Sequence, residues 1–174
     1  MAQTEMQPYK IIESIAEGEI RYYPAVIMAK HKSLNPGAGF GKLFNYISGN
    51  NNTETEIAMT TPVHIKKSQA ENSMSFVLPK NFNIDNAPLP NDNSLEVFEG
   101  GSGFFAAIKY SGYTNDAKEK IFTEKLQKIL KDFDIETSGE PVILVYNSPY
   151  KLINRRNEII IPVIYNSSNN NEGL

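Results

Sequence analysis

The order of strand-like and helix-like stretches runs through the chain twice, and this doubling limits the folds open to it more than any other feature. The first round opens with Tyr9–Ile15 and Glu19–Lys30, β-branched and aromatic runs joined by Ala16-Glu17-Gly18, so a hairpin is expected. Pro24 interrupts the second run and removes a backbone donor, which marks an edge or a bulge. After the breaker at 35–39, Phe40, Leu43, Phe44 and Ile47 recur at spacings of three and four, the mark of one helix face. Gly49 stops that helix after about three turns. Ile57–Ile65 and Ser73–Leu78 are again strand-like.

The second round repeats the order. Ser94–Phe98, a glycine-rich turn at 100–103 and Phe104–Tyr110 form a second strand pair. A longer helix follows, capped by Thr114 or Asn115 with Asp116 in its first turn. It carries Ile121, Phe122, Leu126, Ile129 and Leu130 on one face and ends near Asp134. Pro141–Tyr146 and Glu158–Ile164 complete it. A single β-β-α-β-β round covers only one face of its sheet, whereas two joined rounds bury both. The expected class is therefore α+β: duplicated β-β-α-β-β halves forming a distorted antiparallel β-barrel, closed or nearly closed, flanked by two α-helices. The halves fall at about 9–80 and 94–165 within one domain spanning 9–165, and the polar segments 1–8 and 166–174 read as disordered tails. Clefts between helices and barrel rim are a usual place for a small ligand.

Composition narrows the chemistry. With no cysteine in 174 residues, disulfides, a thiol nucleophile, thiolate metal sites and covalent haem attachment are all excluded. Only His31 and His64 are present, too few for a multi-histidine centre. A net charge of −3 argues against a basic nucleic-acid-binding face. No stretch approaches the roughly 20 apolar residues that cross a bilayer, and Met1–Gln7 lacks a secretory pattern. A soluble cytoplasmic monomer without membrane or nucleic-acid partners is the expectation, although a removed leader would leave the same chain. No phosphate-binding loop, nucleophile elbow or paired helical histidines occur, so the chain reads as a non-enzyme. Gly37, Gly39 and Gly41 suit a tight turn or a close approach, or an anion cradle at the helix start.

Six strings in order carry a resemblance: Glu19–Ala25, Phe44–Asn51, Ile57–Val63, Met74–Pro79, Tyr146–Tyr150 and Arg155–Glu158. Together they resemble the SOUL haem-binding protein family over about 9–164. The resemblance implies the barrel fold of bacterial effector-binding domains and noncovalent, reversible binding of haem or a related tetrapyrrole by a carrier or buffer. The alternative is a small-molecule-sensing or protein-interaction module of the same fold. It also places a cleft beside the first helix, near the loop joining the last two strands.

Haem needs an apolar slot for its macrocycle and cationic groups for its propionates, with an iron ligand optional. For the slot the first helix offers Phe40, Leu43, Phe44 and Ile47, which serve equally to dock the helix. For the propionates the candidates are Lys42, Lys151, Arg155 and Arg156, and Arg155-Arg-Asn-Glu158 equally suits an internal ion-pair and loop-pinning network. His31, Tyr22 and Met59 are the candidate iron ligands.

Overall fold

The computed structural model describes residues 3–35, 37–69, 71–100 and 102–166. In chain order the elements are β1 (Glu5–Met6), β2 (Lys10–Ile15), β3 (Gly18–Tyr23), β4 (Val26–Ser33) and α1 (Gly39–Ile47). They continue with β5 (Thr60–Thr61), β6 (Val63–Lys67), β7 (Asn72–Val77), β8 (Leu95–Gly100) and β9 (Gly103–Ser111). The last are α2 (Asp116–Asp132), β10 (Val142–Val145) and β11 (Arg156–Pro162). Nine strands form one curled sheet in the order β2-β3-β9-β11-β10-β6-β7-β4-β8, with β2 and β8 at its two edges. The fold is thus α+β, an antiparallel half-barrel with two helices.

Pro24 does more than mark a bulge. The run read as one strand ends at Tyr23 and restarts at Val26, and its two parts go to different regions of the sheet. β3 pairs with β2 and β9, whereas β4 pairs with β7 and β8. Each helix therefore lies on its own unit of the sheet, the four strands β6-β7-β4-β8 for α1 and the five strands β2-β3-β9-β11-β10 for α2. Each unit takes strands from the sequence of the other round, β8 in the α1 unit and the β2-β3 hairpin in the α2 unit. The N-terminal segment is not wholly a tail: β1 pairs in parallel with β5, and the Gln7 N–H donates to the Thr61 carbonyl at 2.8 Å. The expected C-terminal tail, apart from Asn166, lies outside the described residues.

Strand alternation sends odd-numbered β4 residues and even-numbered β3 residues to the helix side. Ile27 and Ala29 pack with Leu43, Tyr46 and Ile47 of α1 and Phe76 of β7. Ile15 and Ile20 pack with Leu126, Ile129 and Leu130 of α2 and Ile159 and Ile161 of β11. Burying such side chains is worth about 1.5–3 kcal/mol each. α2 is finished as expected, with the Asn115 side chain accepting from the Lys118 N–H, Asp116 and Glu119 in the first turn and Lys131 in the last. Ile121, assigned to the apolar face, points to solvent instead, because the buried stripe runs through Glu119, Leu126, Ile129 and Leu130. Gly49, at φ +109°, follows α1 in a conformation that side chains rarely adopt.

The sheet face turned away from the helices holds a buried charge network. Arg21 and Glu158, both fully buried, form a two-pronged ion pair at 2.7 and 3.0 Å. Arg156 donates to the same carboxylate at 2.8 and 3.0 Å, Tyr146 donates to it at 3.0 Å, and Glu19 accepts from the other side of Arg21 at 2.8 Å. The Tyr9 ring covers Arg21 and the Tyr146 ring covers Arg156, each about 4 Å from the guanidinium. Burial alone would raise the Glu158 pKa; the hydrogen bonds and charges of Arg21 and Arg156 outweigh it and hold the carboxyl below its usual value. Burial pushes the Tyr23 hydroxyl up to about 12, so it stays a hydrogen-bonding phenol.

A cleft between the first helix and the last strand connection

α1 turns Leu43 and Ile47 into the core and leaves Phe40 and Phe44 44% and 49% exposed, one turn apart. Their rings stack at 6.0 Å with an interplanar angle of 13°, and Phe40 meets Phe76 edge-on at 5.5 Å. These two rings form one wall of a cleft of about 680 Å³. The floor is Met59, Val63, Ile65 and Met74, and the opposite wall is Val145, Tyr146 and the loop that follows. The volume lies within the usual range of about 300–1,000 Å³ for small-molecule sites.

The connection from β10 to β11 is pinned from inside. Arg155 Nη1 donates to the carbonyls of Ser148 at 2.6 Å and Lys151 at 2.8 Å, its guanidinium lies 4.1 Å from the centre of the Tyr113 ring, and its buried Nε has no partner among the described residues. The Asn147 side chain accepts from the Arg156 N–H at 2.6 Å. Held in this way, the loop brings Lys151 to the cleft, where its ammonium makes no ion pair among the described residues. It also carries Tyr150, Leu152 and Ile153, all strongly exposed.

The residues singled out from sequence divide accordingly. Phe40, Phe44, Met59, Lys151 and Arg155 come together on the cleft. Leu43 and Ile47 do not reach it, because the inward side of α1 docks on the sheet. Lys42 projects elsewhere, donating to Ser94 Oγ at 2.8 Å and lying 3.5 Å from Asp92. Arg156 is committed to Glu158 and Tyr9, so the loop-pinning and ion-pair alternative describes the Arg155–Glu158 string. Tyr22 packs edge-on against Phe104, away from the cleft. His31 sits under the start of α1, where a side chain on Gly39 would come within 3.2 Å of its Nδ1, and that nitrogen has no partner among the described residues. The close approach, not an anion cradle, accounts for Gly39. Of the candidate iron ligands only the Met59 thioether lines the cleft, joined there by Met74. The sequence reading passed over Val63, Ile65, Met74 and Val145; all four alternate along strands as the half-buried positions of a sheet do.

No helix among the described residues is long and apolar enough to cross a membrane. Among solved structures, the fold resembles the EcmrR C-terminal domain, with a TM-score of 0.64 and 10% identity over 91% of this chain and 99% of that one. It also resembles a protein described as a hydrolase from Listeria innocua, with a TM-score of 0.59 and 10% identity over 85% of this chain and 92% of that one. At that identity the likeness concerns the fold alone. In sequence, the chain is 27% identical to heme-binding protein 1 of Xenopus laevis over 128 residues, 70% of this chain and 67% of the relative. It is 29% identical to human heme-binding protein 2 over 130 residues, 70% of this chain and 62% of the relative. Residues 4–162 match the SOUL heme-binding protein family across nearly the whole described fold, and the chain belongs to that family.

Proposed function

We propose that the cleft binds haem or a related tetrapyrrole noncovalently and reversibly, and that the protein acts as a carrier or buffer, not as an enzyme. The observation that carries this reading is the pairing of an apolar slot with a cationic rim: Phe40, Phe44, Val63, Ile65 and Val145 face a space of about 680 Å³, and Lys151 stands at its edge. A flat macrocycle would stack on the two phenylalanine rings and reach Met59 and Met74, while a propionate would meet the Lys151 ammonium at the rim. When bound, haem would supply an iron centre, and the groups lining the cleft that could approach it are thioethers. Affinity then rests mainly on buried macrocycle area and cationic contacts. The exposed Tyr150, Leu152 and Ile153 beside the slot give a large apolar ligand further surface to cover.

Hemin titration followed in the Soret band tests the reading. A saturable shift with a matching rise in thermal stability is expected, because a ligand selective for the native state stabilises it. Phe40→Ala combined with Phe44→Ala should abolish saturation while the far-ultraviolet circular dichroism is retained. Unsaturable spectra with no gain in stability, or full binding by the double variant, would sink the assignment.

A further inference from the structure

The sheet face turned away from both helices carries a second cavity, of about 380 Å³, that tetrapyrrole binding leaves without a role. Strand register fixes its layout. Ser75 of β7 stands between Lys30 of β4 and His64 of β6, and Ser73 stands between Lys32 and Lys66. Neighbouring strands are about 4.8 Å apart, so Lys32 and Lys66 rise about 10 Å from one another with only a small hydroxyl side chain between them. The result is a trough with a serine floor and lysine walls. Met28 and Phe98, cross-strand partners, form an apolar end, and the Lys30 ammonium lies 4.5 Å from the centre of the Phe98 ring.

The trough is built for negative charge. Three lysines line it against one carboxylate, Glu71. Each lysine does have an acidic neighbour, Lys30 with Glu96 at 3.3 Å, Lys32 with Glu71 at 3.5 Å and Lys66 with Glu140 at 3.4 Å. Those acidic partners are about half exposed, and loose surface pairs of this kind hold their side chains weakly. Glu96 and Glu140 lie outside the lining. His64 adds no charge near neutral pH: its Nε2 is 2.7 Å from Gln7 Oε1, and burial depresses its pKa to about 4. Neither serine hydroxyl has a partner among the described residues, although Ser75 is buried apart from its edge on the cavity. Hydroxyl donors without acceptors, set among like-charged ammonium groups, are an arrangement that an oxyanion would complete.

We propose that this trough binds an organic phosphate monoester, with the phosphate oxygens on Ser73, Ser75 and the three lysines and the apolar body against Met28 and Phe98. Five donors suit the three terminal oxygens of a phosphate better than the two of a carboxylate. The site is separate from the cleft and does not depend on what the cleft holds.

Titration of the intact protein with phenyl phosphate, followed by amide chemical shifts, tests this directly. Saturable shifts are expected in β4, β6 and β7 around Lys30, Ser73, Ser75 and Lys66, with none around Phe40 and Val145. Benzoate and inorganic phosphate should each bind more weakly, the first lacking an oxygen and the second the apolar body, and benzylamine should not bind. Ser73→Ala with Ser75→Ala, and separately Lys32→Gln with Lys66→Gln, should each weaken phenyl phosphate about tenfold or more and leave hemin titration unchanged. The lysine pair is surface-exposed, so that variant keeps the fold if the serine pair does not. Unsaturable shifts, a response centred on the cleft, equal binding of benzylamine, or wild-type affinity in a folded variant would overturn the proposal.

Discussion

The two helix-bearing units share a plan and use it differently. α2 has 17 residues, a side-chain N-cap and a first turn rich in acid; α1 has 9 residues and no side-chain cap. Beneath α2 the sheet is packed by Leu126, Ile129 and Leu130, and on its far face the α2 unit carries the Arg21–Glu158–Arg156 network with its charges paired. α1 spends only part of its apolar stripe on packing and leaves two aromatic rings toward open space. On the far face, the α1 unit exposes lysines instead of closing a network. One unit is therefore built as a clamp and the other as a receptive surface, and substitutions should separate stability from binding along the same line.

The sharpest way to break that division is Glu158→Gln, which leaves the buried guanidinium of Arg21 and the partly buried one of Arg156 without their shared counter-charge. A loss of about 3–5 kcal/mol is expected in urea unfolding; a loss below about 1 kcal/mol would mean that the network is not the clamp it resembles. Next is a matched pair of truncations. Leu126→Ala, fully buried under α2, should cost about 2–5 kcal/mol, whereas Phe44→Ala should cost no more than about 1.5 kcal/mol, the worth of its ring stack, and weaken hemin instead. Equal destabilisation by the two would erase the contrast. A third test concerns pH. The folded-state pKa of His64 is depressed from 6.5 to about 4, so the unfolded chain binds the extra proton first. Stability is then full above about 6.5 and declines toward 4, by at most about 1.4 kcal/mol per pH unit. Glu158, also depressed, contributes its stability above the ordinary carboxylate range and loses it only at lower pH. His64→Gln should flatten the upper window and leave the lower one in place.

Local pattern made much of this molecule legible. Spacing placed both helices, and Asn115 was readable as a cap because its short side chain can reach back to the Lys118 N–H. Periodicity put Phe40, Leu43, Phe44 and Ile47 on one stripe, but a stripe wider than the contact it makes does not say which edge stays free. That edge is decided by the loop at 147–155, far away in sequence. Pro24 announced an interruption, yet the destination of the chain beyond it depends on partners some 40–75 residues away. Arg21 and Glu158 are 137 residues apart. Alternation did point Glu19, Arg21 and Tyr23 to one side of a strand, and three such polar side chains in a row were the available signal of a buried network. The serine trough gave none, since Ser73 and Ser75 acquire meaning only from lysines on the neighbouring strands.

The crossing of strands between the two rounds also bears on how the chain is made. As synthesis proceeds from the N-terminus, β2 and β3 can close their hairpin early, but β3 must wait for β9, about 80 residues later, to gain its other neighbour. The α1 unit likewise lacks its edge until β8 emerges, and the charge of Arg21 stays unmatched by Glu158 until the final strand. Long-range pairing of this kind slows folding and leaves apolar surface open in the meantime. A half-length product would therefore be a fragment with an orphaned hairpin and a missing edge, not a smaller version of the protein.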